Sequence, residues 1–109
     1  MKVKELAESG KYGIISLPDE EREIDGVYIG DLLSWVMGRA NSGNAWITIM
    51  SNINIVAVAS LADTACIILA EGVTVDESVA ETARAKGVNI LSSPLPAYET
   101  AMALGNPEK

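Results

Sequence analysis

From residue 27 to residue 104 one pattern recurs four times: a short apolar run of strand character, a turn, and a segment of helical spacing. Val27–Ile29 leads into Asp31–Arg39, Trp46–Met50 into Ile53–Ala62, Cys66–Ala70 into Asp76–Lys86, and Val88–Leu91 into Leu95–Leu104. Parallel strands cannot be joined by a hairpin and need a crossover, usually helical. The alternation therefore predicts an α/β fold with a mainly parallel sheet built from repeated strand-helix units. Ahead of it, Val3, Leu6 and Ala7 at helical spacing before Gly10 predict a short opening helix, and Tyr12–Ser16 reads as a strand. The charged stretch Pro18–Glu23 reads as a solvated loop, with an acidic metal site as the sharper alternative.

With 109 residues there is room for one core, so residues 1–109 are expected to form a single domain. Half the chain is hydrophobic, which suits a folded domain, and the absence of Phe leaves the core to aliphatic side chains. Fifteen acidic residues against eight basic ones give a net charge of −7, which disfavours nucleic acid and anionic membrane surfaces as partners. The segment Met1–Glu8 lacks the apolar run of a signal peptide and no stretch reaches membrane-spanning length, so a cytoplasmic location is expected. The lone Cys66 has no disulfide partner and reads as a buried, inert thiol.

Three helical segments differ in a way that bears on function. Asp76–Lys86 opens on Asp76 and Glu77, closes on Arg84 and Lys86 before Gly87, and carries the small apolar stripe Val79, Ala80 and Ala83. Both ends complement the helix dipole, and the stripe is that of an ordinary surface helix. Ile53–Ala62 has no charged residue, and at 100° per residue its apolar side chains fall on all sides. Such a helix needs cover on its outer side. A second subunit would provide it, with Ile53, Ile55, Val56 and Ala59 as candidate interface residues; one of the chain's own terminal helices is the alternative. In Asp31–Arg39 the arc Leu32, Leu33, Val36, Met37 and Ala40 is expected to face the sheet. Trp35 then lies opposite, beside Arg39, as a candidate interface anchor or a ring half-covered by its own loop.

Chemistry is sparse. With no histidine, the commonest general base and metal ligand is missing, and no Ser/His or Cys/His pair can form. Neither a Walker-type phosphate loop nor a G-x-G-x-x-G turn is present. No catalytic residue, metal or cofactor is assigned. Open α/β sheets hold ligands beyond the carboxyl ends of their strands, which here makes Asp31, Ser51, Asn52, Glu71 and Gly72 the candidate ligand-binding residues. Ser93 falls at the end of the last strand. Capping and turn formation is the alternative role for these residue types.

The segments Asp25–Ser34, Trp46–Ile49, Asn54–Ala59 and Ile67–Leu69 resemble the DRTGG domain family in its stand-alone bacterial form, over nearly the whole chain. The family is similar in fold to the N-terminal domain of HPr kinase, which implies a three-layer α/β/α sandwich and no catalytic activity of its own. Where the family pattern has Asp-Arg this chain has Ser51-Asn52, and where it has Thr-Gly-Gly it has Ala70-Glu71-Gly72. The first change removes a phosphate-pairing Arg and the second adds a carboxylate where a glycine turn could cradle an anion. The expected function is a non-catalytic regulatory or protein-interaction module acting as a homodimer. The resemblance also implies a redox or signalling protein as a further partner class. The alternative is a sensor for a small ligand, such as an adenine nucleotide, at the strand ends.

Overall fold

The computed structural model describes residues 1–105. The elements run α1 (Val3–Glu8), β1 (Gly13–Ser16), β2 (Val27–Ile29), α2 (Leu33–Arg39), β3 (Ala45–Thr48), α3 (Asn54–Ala62), β4 (Cys66–Leu69), α4 (Glu77–Lys86), β5 (Ile90–Ser92) and α5 (Ala97–Leu104). Five strands form one sheet in the order β1-β5-β4-β3-β2. The β2–β3, β3–β4 and β4–β5 pairs are parallel, while β1 joins the far edge antiparallel to β5.

Topology decides which helix covers which face. The four parallel strands step in one direction across the sheet, and right-handed crossovers repeated in one direction deliver their helices to one side. Accordingly α2, α3 and α4 pack on one face, where Val36, Ile55, Val56 and Ala59 meet Trp46, Ile67, Leu69 and Ile90. The opposite face is covered by the first and last helices: Val3, Leu6 and Leu104 pack on Ala45, Ile47, Ile68 and Leu91. The result is a three-layer α/β/α sandwich. Its central strands β3 and β4 are buried along their whole length, which is why they read as continuous apolar runs rather than alternating ones.

α4 forms as its sequence dictates. Val79, Ala80 and Ala83 are its buried residues, and the chain leaves through Gly87 at φ 74°, a left-handed conformation that glycine adopts without strain. α2 begins two residues later than its sequence pattern suggests, and this narrows its buried face. Val36 is fully buried and Leu33 and Ala40 partly so, but Leu32 and Met37, expected against the sheet, are 57% and 48% exposed.

Pro18–Glu23 is less free than its charge implied. Asn89, buried on the strand side, donates to Asp19 O at 2.8 Å and Ala65 O at 3.0 Å and accepts from Asp19 N at 3.0 Å. Glu21 is paired with Lys2 and Lys4, Glu23 with the amino terminus, and Arg22 with Asp63. Glu21 and Glu23 thus tie the segment to the start of α1, and Arg22 ties it to the end of α3. Among the described residues no group of three or more His, Cys, Asp or Glu side chains is placed to hold a metal ion. Burial pushes the Cys66 thiol up to about 12, so it stays protonated throughout the neutral range. No helix among the described residues is long and apolar enough to cross a membrane.

Candidate functional site

Two regions compete: the crevice at the strand ends and the outer face of the α2–α3–α4 layer. The crevice has a natural position, because the chain leaves β4 toward α4 on one face and leaves β5 toward α5 on the other. Diverging connections of this kind open the cleft in which α/β proteins hold their ligands.

Here that cleft is stitched shut by the main chain. Glu71 N–H donates to Leu95 O and Gly72 N–H to Ser93 O, each at 2.8 Å. These are the amides that a glycine-rich turn would offer to an anion, and both are already used. The hydroxyl of Ser93 is likewise engaged, lying 2.9 Å from that of Thr100 while accepting from Leu95 N–H at 3.1 Å. Glu71 and Gly72 both hold positive φ, 61° and 71°, which explains why two glycines suit this turn. A left-handed conformation costs a non-glycine residue roughly 1–2 kcal/mol, part of which glycine's extra unfolded-state entropy offsets. Glu71→Gly is therefore expected to stabilise the domain by roughly 0.5–1 kcal/mol, read as a rise of a few degrees in melting temperature.

The other strand-end candidates serve the fold in the same way. Asp31 Oδ1 accepts from the Thr48 hydroxyl at 2.7 Å and from Ile49 N–H at 2.9 Å, clamping the end of β2 to the end of β3. Asn52 Oδ1 accepts from Asn54 N–H at 2.9 Å, so Asn52 caps the entry to α3. Ser51 is exposed beside it. The five residues lie at the carboxyl ends of β2, β3 and β4, and they include two carboxylates and no cation.

The outer face of the α2–α3–α4 layer is different. α1 and α5 lie across the sheet from α3, so neither terminal helix supplies the cover that its composition demands. The structure also corrects which residues are uncovered. Ile55, Val56 and Ala59, expected at an interface, are at most 3% exposed and form the domain's own core. What α3 turns outward is Ile53, 46% exposed, Leu61, 71% exposed, and Ala57, with Asn54 and Ser60 between them. Apolar side chains thus reach the outer side of α3 as well as its buried side, with two polar positions among them. Between α3 and α4 lies a groove of about 460 Å³, lined by this outer stripe together with Val56, Thr82 and Lys86. On the neighbouring helix Trp35 is 51% exposed with the Arg39 guanidinium 3.7 Å over its ring, a cation–π stack that holds the indole outward. A second cavity, about 270 Å³, lies between Lys11–Tyr12, Ser93–Leu95 and Ala103 on the opposite face.

The DRTGG domain family model matches residues 14–106. The chain belongs to this family. Its fold is shared by the crystal structure of the CBS and DRTGG domains of the regulatory region of Clostridium perfringens pyrophosphatase, complexed with the activator diadenosine tetraphosphate. That match has a TM-score of 0.68 at 11% sequence identity, covering 98% of this chain and 51% of the other. The present DRTGG domain thus spans about half the length of that regulatory region. No curated protein matches the sequence.

Proposed function

We propose that this DRTGG domain is a non-catalytic regulatory module that acts through a protein surface, as a homodimer. The observation that carries this reading is the outer stripe of α3, Ile53–Ala57–Leu61, exposed beside the groove to α4, with the exposed Trp35 on the neighbouring helix α2. Isolated apolar residues on a surface are ordinary, whereas a set of large ones along adjacent helices marks an interaction face. The regulatory setting of the related pyrophosphatase domain supports a regulatory role. A redox or signalling protein is the further partner class for the assembled module. Sedimentation equilibrium across a micromolar concentration series tests the reading: a dimer is expected, and a monomer throughout overturns it.

The second reading is a sensor for an adenine nucleotide at Asp31, Asn52 and Glu71. It is favoured by the diadenosine tetraphosphate bound in the pyrophosphatase regulatory region. Against it stand the two carboxylates and the amides already donated across the crevice. A specific ligand at a hundred times its dissociation constant stabilises a fold by about 2.7 kcal/mol. The dimer reading expects no such thermal shift with ATP, AMP or diadenosine tetraphosphate, and a shift of that size makes the sensor the better account.

A further inference from the structure

Resting on the homodimer reading, we propose that a second copy of this chain covers the α3–α4 groove, with the two α3 helices antiparallel about a twofold axis that passes beside Ala57. The outer stripe of α3 is self-complementary in that register. Ile53 and Leu61 are each four residues from Ala57, so Ile53 of one copy meets Leu61 of the second, and Leu61 meets Ile53. The small Ala57 side chain at the axis permits close approach of the two helices.

Charge selects the antiparallel arrangement. α3 carries no charged side chain, so electrostatic discrimination falls to α4, which runs from Asp76, Glu77 and Glu81 to Arg84 and Lys86. α3 and α4 both return from the carboxyl end of a parallel strand and so run in the same direction. An antiparallel α3 pair, which lays α4 on α4, then sets the acidic half of one α4 opposite the basic half of the other, a complementarity lost in a parallel pair, whose twofold axis lays α4 over α2 instead. Glu77 and Arg84 are joined within the chain, but among the described residues Glu81 and Lys86 make no ion pair. They remain available to a second copy. A chain with net charge −7 repels its own copy at long range, so a lysine at the contact is the kind of group such a dimer needs.

The area requirement is consistent with a face wider than one helix. A stable dimer buries about 800 Å² on each partner, roughly a seventh of the 5554 Å² surface of this domain. Nine residues of α3 span about 13 Å, too little alone. A twofold axis lying across α3 in the plane of the contact also places α4 on α4 and α2 on α2, which brings in Trp35.

The arrangement is tested by cross-linking. Facing helices with axes about 8–10 Å apart and Cα radii of about 2.3 Å bring the residues at the axis within disulfide reach. Ala57→Cys is expected to form a disulfide-linked dimer on mild oxidation, and Glu99→Cys, exposed on α5 across the sheet, is not. The native Cys66 is buried and does not compete. Lys86→Glu is expected to weaken the dimer about tenfold and to leave the circular dichroism of the monomer unchanged. A dimeric wild type in which Glu99→Cys cross-links and Ala57→Cys does not overturns this surface and leaves the homodimer standing. A dimer that tightens with Lys86→Glu overturns the antiparallel arrangement. A wild type that is monomeric overturns the homodimer itself.

Discussion

Replacing Trp46 by alanine is expected to lower the unfolding free energy by about 3–5 kcal/mol, a large share of the stability of a domain this size. Trp46 is fully buried at the centre of β3 and is the largest such side chain in the protein. It packs within the core that α2, α3 and α4 close over the sheet. Its indole N–H also donates to Gly30 O at 2.9 Å, tying β3 to the end of β2. Alanine leaves a cavity that neighbouring aliphatic side chains only partly fill, and an acceptor that has lost its donor. Trp46→Phe leaves a much smaller cavity than alanine while still losing the hydrogen bond, and about 1–3 kcal/mol is expected. Chemical denaturation followed by far-ultraviolet circular dichroism measures both. Equal stability of wild type and Trp46→Ala contradicts this account of the core.

Asn89→Ala carries the second large effect. At 2% exposure, this amide satisfies three main-chain groups, two at Asp19 and one at Ala65. Its removal strands them in a region where each unsatisfied group costs about 1–3 kcal/mol, reduced where the loosened loop lets water reach Asp19. A total loss of about 3 kcal/mol is expected. It should be accompanied by faster hydrogen exchange and proteolysis over residues 18–23, because the loop then loses its anchor to the sheet. Asn89→Asp keeps the acceptor and loses the donors, so it should fall well below wild type as well. A loss under about 0.5 kcal/mol, the range of ordinary surface changes, contradicts the anchoring role.

The parts of this fold that were legible in the sequence are those where charge and apolarity alternate. α4 declares its ends and its buried stripe because acidic, small apolar and basic residues each hold distinct positions along it. The buried strands β3 and β4 were legible as uninterrupted apolar runs bounded by turn residues. α3 lacks that information. With no charged residue, nothing in its pattern separates the side facing the sheet from the side facing out, so Ile55, Val56 and Ala59 read as interface candidates in the sequence and belong to the core in the fold. Leu61, the most exposed large apolar residue of the helix, gave no separate signal. Asn89 was equally silent, because its role depends on partners 70 and 24 residues away. At the strand ends the residue types were right for either capping or ligand binding. Only the hydrogen bonds from Glu71 and Gly72 to the loop after β5 show that those two amides are taken.

Sedimentation equilibrium of the wild type beside Leu61→Asp tests most directly whether this domain works through the outer face of α3. Leu61 is 71% exposed, so the substitution is expected to change the stability of the separated monomer by no more than about 0.5 kcal/mol. Twofold symmetry makes each substitution count twice, and a dimer weakened at least about a hundredfold is expected. A wild-type dimer whose affinity is unchanged by Leu61→Asp contradicts the account.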